Sequence, residues 1–130
     1  MTGPRARVIL VVDDDEADLL ALTTLLEGSG YAVAQARSGR QAVAIFLEYA
    51  PELVLTDMAM SDGDGIDLMR WLGRIRPDVP IVAVTGMGEE TVRRALEAGA
   101  SSVVAKPVDR EVMLGAVRGA LSGSSARSAG

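Results

Sequence analysis

A chain of 130 residues has room for one domain around a single core. It is 48% hydrophobic but only 3% aromatic, so the core has to be built from Val, Leu, Ile, Ala and Met, the usual filling of a parallel sheet covered on both faces. A net charge of −5 disfavours nucleic-acid binding by this domain, and the absence of Cys and His excludes disulfides, thiolate nucleophiles, the common zinc sites and a His general base.

Any metal must therefore be hard and oxygen-held, which leaves Mg²⁺, Mn²⁺ or Ca²⁺. Arg5 and Arg7 precede an apolar run, but that run, Val8–Val12, is too short for a signal peptide or a membrane span. A cytoplasmic chain with no membrane partner is the expectation.

Val8–Val12 is apolar, β-branched and bounded by acids, as a buried strand should be. Glu16–Glu27 follows as a helix with Leu19, Leu22 and Leu26 on one face, stopped by Gly28-Ser29-Gly30. Ala32–Ala36 is a weaker strand. Ser38 can cap a helix over Gly39–Tyr49, with an inward stripe of Val43, Phe46 and Leu47, and Pro51 closes it. Leu53–Thr56 is a strand ending at Asp57, Asp64–Ile75 a helix, Ile81–Thr85 a strand, and Glu89–Ala98 a helix ended by Gly99. Val103–Ala105 is a short strand before Lys106-Pro107, and Asp109–Leu121 is the last helix. The domain is expected over residues 6–121, with 122–130 as a flexible tail.

Strict alternation of strand and helix implies parallel strands joined by right-handed crossovers. The expected fold is α/β, a doubly wound five-stranded parallel sheet, for which the flavodoxin-like order 2-1-3-4-5 is a common solution. In such a sheet, function gathers beyond the carboxyl ends of the strands. Those ends carry Asp13, Asp14 and Asp15 after strand 1, Asp57 after strand 3, Thr85 on strand 4 and Lys106-Pro107 after strand 5.

Carboxylates gathered there need a cation. Two of them ~4 Å apart repel by roughly 4 kcal/mol at an effective dielectric near 20. Lys106 alone cannot balance three, so a divalent ion completes the site, and Mg²⁺ suits few carboxylates with open water positions. Asp57 could then both touch the metal and attack a phosphoryl group, with Lys106 and the Thr85 hydroxyl offsetting charge on the phosphoryl oxygens. The chain has 12 arginines and one lysine, so a lysine kept at a strand end points to a need for a compact ammonium. Alone, each feature has an ordinary explanation: Asp13–Asp15 as helix-start acids, Asp57 as a turn opener, Thr85 as a strand-end residue. Only their joint placement outweighs it.

The segments Val-Val-Asp13-Asp14-Asp15, Leu-Thr-Asp57-Met-Ala-Met, Asp64-Gly65, Val-Thr85-Gly86, Gly99-Ala100 and Val-Ala-Lys106-Pro107 together resemble the receiver domains of bacterial two-component response regulators, over about Val8 to Leu121. The resemblance implies that Asp13 and Asp14 hold Mg²⁺, that Asp57 is phosphoacceptor and metal ligand, and that Ala59 offers its backbone carbonyl to the metal. It makes Thr85 the switch hydroxyl, Lys106 the partner of Asp57 or its phosphate, and Pro107 the loop-fixing residue, often through a cis bond. The phosphodonor would be a histidine kinase or a histidine phosphotransfer protein. Such a chain modifies itself but is not an enzyme with a turned-over substrate. By the same resemblance, output would pass through the fourth and fifth helices with strand 5, near Val92, Leu96, Val103 and Met113. Homodimerisation and the downstream partner stay open.

Three departures from the family pattern carry consequences. Ser61 replaces a usual proline, and Val103 replaces a usual aromatic, which removes a coupled Thr–aromatic rotation. Ala59 and Met87, at the positions that tune water access to an acyl phosphate, are both apolar, which predicts slow loss of phosphate. The alternative function is a phosphate-independent interaction domain of the same fold. A Mg²⁺-dependent phosphatase is disfavoured because Ala59 stands where its general acid belongs, and a flavin carrier because Asp13–Asp15 would repel the flavin phosphate. No cofactor-binding motif other than the metal site is found: the segment from Asp62 fails the EF-hand pattern at Asp67 and Gly73, and no P-loop is present.

Overall fold

The computed structural model describes residues 7–60, 65–86 and 88–129, with side chains as far as Gly123. Five strands alternate with five helices: β1 (Val8–Val12), α1 (Glu16–Glu27), β2 (Ala32–Ala36), α2 (Gly39–Tyr49), β3 (Leu53–Asp57), α3 (Gly65–Ile75), β4 (Ile81–Thr85), α4 (Glu89–Glu97), β5 (Ser102–Ala105) and α5 (Arg110–Ala129). All neighbouring strands pair in parallel, in the expected order β2-β1-β3-β4-β5. The order reverses direction between β1 and β3, and the crevice beyond those two strand ends is where an open sheet of this kind takes its ligand.

Side chains alternate across the sheet, which splits the apolar interior in two. Leu10, Val12, Val54, Ile81 and Ala83 face α2, α3 and α4, where they meet Phe46, Met69 and Leu72. Ile9, Val11, Leu53, Leu55, Val82 and Val84 face α1 and α5, where they meet Leu22, Leu26, Met113 and Val117. β3 and β4 are buried throughout, which explains why they read as unbroken apolar runs.

Helix starts follow local chemistry. Asp15 caps α1 by accepting from the Ala17 N–H at 3.0 Å, and Ser38 caps α2 by accepting from the Gln41 N–H at 3.0 Å. Gln41 reaches back to accept from the Arg37 N–H at 2.6 Å, a variant of the capping box.

Two expectations need correction. Leu47 is not part of the inward stripe of α2; it is 66% exposed, while Ala42 and Phe46 are buried. The edge of Phe46 meets the face of Trp71 or the converse, at a centroid distance of 6.0 Å and 83°, and this contact sets the rotation of the helix. One residue further on, Leu47 lies about 100° around the helix and faces outward. The second concerns the last helix, which does not close at Leu121 but runs to Ala129. Ser122–Ala129 contains no proline, so no residue there lacks the backbone N–H that the helix ladder needs. Ala6, Ser61, Met87 and Gly130 lie outside the described residues, as do Asp62, Gly63 and Asp64.

Candidate functional site

Parallel register brings the acidic residues together. Val12 pairs with Thr56 across β1 and β3, so Asp13 and Asp57 leave adjacent strands at the same level. One carboxylate oxygen from each of Asp13, Asp14 and Asp57 lies within 4.8 Å of the other two, a grouping that could hold a metal ion. Asp13 and Asp57 are buried and Asp14 is half-buried.

The three consecutive aspartates divide their work. Asp15 turns away to cap α1, the ordinary helix-start role, whereas Asp13 and Asp14 face the cluster. Asp13 Oδ1 accepts from the Asp15 N–H at 2.9 Å, but its Oδ2 is buried without a hydrogen-bond partner. Such an atom is costly to bury and calls for a cation or a proton. Burial drives the Asp13 carboxyl up to about 6, and the Asp57 charge adds to the rise.

Lys106 supplies the positive charge. Its Nζ is 3.4 Å from Asp57 Oδ2 and 3.5 Å from Asp18 Oδ2. Partial burial would pull this ammonium down, but Asp57, Asp13 and Asp18 together push it above the usual lysine range, so it is held charged. Its backbone is anchored as well, its N–H donating to the Thr85 carbonyl at 2.8 Å. The following Lys106-Pro107 bond is cis.

Thr85 is buried at the end of β4, next to Asp57 by the pairing of Asp57 with Val84. Ala59 is exposed, and its N–H points to Asp57 Oδ1 at 3.4 Å, a long contact. Val103 is half-buried and packs on the α2, α3 and α4 side of the sheet. Of the expected output residues, Leu96 is 51% exposed but Met113 is fully buried against α1 and the sheet.

Two further residues shape this site in ways that the sequence alone did not assign. Asp18 sits in the first turn of α1, one turn on from Asp14, a spacing that puts both on the same side of the helix start. Gly65, expected as part of the helix Asp64–Ile75, opens α3 directly against the backbone of Asp57 and Met58. No local pattern announces either role, since both depend on what α1 and α3 face.

The residues at 9–118 match the response regulator receiver domain family. Over 102 residues the chain is 41% identical to the transcriptional regulatory protein ZraR of Escherichia coli strain K12, covering 78% of this chain and 23% of that protein. It is 36% identical over 104 residues to the photosynthetic apparatus regulatory protein RegA of Cereibacter sphaeroides, covering 79% and 56% respectively. The chain thus spans less than two thirds of either relative. Among solved structures, a CheY-like response regulator receiver domain protein from Methanospirillum hungatei JF-1 superposes with a TM-score of 0.88 at 29% identity, covering 95% of this chain and 99% of that one. With its acidic pocket of Asp13, Asp14 and Asp57 facing Lys106, this chain belongs to the response regulator receiver domain family of two-component systems.

Proposed function

We propose that Asp57 accepts a phosphoryl group from a phosphohistidine, in a Mg²⁺-dependent reaction, and that the modified domain changes its affinity for a partner. The observation that carries this reading is the pocket itself: three carboxylates within 4.8 Å of one another, a buried Asp13 oxygen without a partner, and a charged Lys106 against Asp57. A receiver domain implies a cognate histidine kinase, and the donor is that kinase or a histidine phosphotransfer protein. We assign the chain to the cytoplasm on the same basis; among the described residues no helix is long and apolar enough to cross a membrane.

In the reaction an Asp57 carboxylate oxygen bonds to phosphorus as the P–N bond to the donor imidazole breaks; the bonding pair stays on that nitrogen, and the ring leaves as neutral imidazole because its other nitrogen carries a proton taken up from solvent. Asp13, Asp14, Asp57 and the Ala59 carbonyl would hold the Mg²⁺, which when bound neutralises charge on the phosphoryl oxygens. Lys106 orients and balances those oxygens from the other side, and the Thr85 hydroxyl donates to one of them. The base this chemistry would otherwise need is dispensable, because the Asp57 carboxylate is the nucleophile.

Intact-mass measurement after incubation with Mg²⁺ and acetyl phosphate tests the reading, with Asp57→Asn alongside. A Mg²⁺-dependent phosphate adduct absent from the variant is expected. No adduct and no binding of beryllofluoride would make the chain a phosphate-independent interaction domain. The decay of the adduct gives its lifetime; loss within seconds would refute the slow hydrolysis expected from apolar Ala59 and Met87.

A further inference from the structure

Lys106 is the chain's one lysine, and it stands between two carboxylates at almost equal distances, 3.4 Å to Asp57 Oδ2 and 3.5 Å to Asp18 Oδ2. The Asp57 side chain is buried, whereas that of Asp18 is 45% exposed. A cleft of about 510 Å³ is lined by both Lys106 and Asp18, together with Asp13, Leu22, Val84 and Pro107.

As an acid in the first turn of α1, Asp18 would complement the helix dipole from any orientation. That role does not call for Lys106, just beyond the end of β5, to lean across to it. The contact joins residues 88 positions apart in the chain.

We propose that Asp18 is a positioning residue that competes with Asp57 for the Lys106 ammonium, holding it partly in reserve and restraining phosphorylation. The inference rests on the reading of Asp57 as phosphoacceptor. In the unmodified domain the ammonium is divided between two single charges. A phosphoryl group on Asp57 brings more negative charge to that side, so Lys106 moves to it and gives up Asp18. Asp18 therefore stabilises the unmodified state relative to both the transition state and the product. Because Asp18 is half exposed, water screens the pair and the effect is modest.

The test is a double-mutant cycle on the whole chain, reading the rate of adduct formation from acetyl phosphate and Mg²⁺ by intact mass. Asp18→Asn is expected to raise the rate about two- to fivefold, the range that an exposed ion pair supports. Asp18→Glu, which keeps the charge, is expected to return it toward wild type. In a Lys106→Ala background Asp18→Asn should change the rate by less than about 1.5-fold, because the residue it acts through is gone. An unchanged or slower Asp18→Asn overturns the proposal, and so does a gain that survives in Lys106→Ala, which would assign the effect to general repulsion of the anionic donor. A helix-dipole role alone would lower thermal stability without speeding phosphorylation. Should Asp18→Asn not fold, Asp18→Ser is read by the same criteria. Absence of an adduct in the wild-type chain refutes the phosphoacceptor reading itself, whereas a wild-type adduct with no Lys106-dependent gain refutes only the role of Asp18.

Discussion

Gly65 lies so close to Asp57 that a Cβ on it would collide with the Asp57 carbonyl oxygen and sit 3.2 Å from Met58 Cα. The Gly65 N–H also donates to the Met58 carbonyl at 2.9 Å, so the start of α3 is tied to the segment that follows Asp57. Both obstructions are backbone and cannot rotate away. Gly65→Ala is therefore expected to destabilise the fold by roughly 1–3 kcal/mol, the usual cost of overpacking. It should also slow adduct formation at Asp57, because the strand end must shift. Urea unfolding and the intact-mass assay check the two halves; unchanged values in both would show that α3 moves aside freely.

Lys106 should resist replacement even by another cation. Lys106→Ala is expected to lower the rate of phosphorylation by about 100-fold, by analogy with loss of one preorganised donor to a developing anion. Lys106→Arg keeps the charge but puts a wide planar group where a compact ammonium fits 3.4 Å from Asp57 Oδ2, so it should rescue only a small part. Full activity in Lys106→Arg would show that charge alone matters.

Binding of a divalent cation to the proposed site is expected to depend on pH through Asp13. Its folded value of about 6 lies above the ordinary 3.8, so the folded state holds a proton there that the unfolded chain has already lost. In the metal-free protein, the stability this group contributes is present below pH 3.8 and is lost as pH rises through about 6. A divalent cation competes for the same oxygens, so its apparent affinity should fall about tenfold per pH unit below the Asp13 value. Calorimetric titration of Mg²⁺ at pH 5 and pH 8 checks this, with Asp13→Asn removing the dependence; equal affinities at both pH values would refute it.

The rotation of α2 separates neighbouring apolar residues sharply. Phe46 is buried against Trp71, so Phe46→Ala should cost about 3–5 kcal/mol in urea unfolding. Leu47, 66% exposed, should tolerate Ser within about 0.5 kcal/mol. Comparable losses at both positions would mean that α2 packs with a different face.

Much of this molecule can be read from local pattern. Runs such as Leu53-Val54-Leu55 mark strands buried on both faces, because a polar side chain there would have no solvent on either side. Repeated alternation with helices leaves parallel pairing and right-handed crossovers as the economical solution, and the sheet order expected from it is the one observed. The strand ends then nominate Asp13, Asp14, Asp57, Thr85 and Lys106, since parallel strands all deliver their carboxyl ends to one rim.

What local pattern could not supply depends on how packed elements are turned and how close they approach. The stripe of α2 allowed Leu47 inside until Phe46 met Trp71 and set the helix rotation. The demand for glycine at Gly65 comes from the carbonyl of Asp57, eight positions earlier in the chain, and no local spacing shows it. Asp18 looked like one more acid at a helix start, and only the packing of α1 beside the end of β5 gave it a share of Lys106. Periodicity along the chain thus determined the elements, their order and the rim where charge collects. Side-chain partners across that rim were decided by tertiary structure, because Coulomb and contact energies depend on distances of a few ångströms that no spacing in sequence encodes.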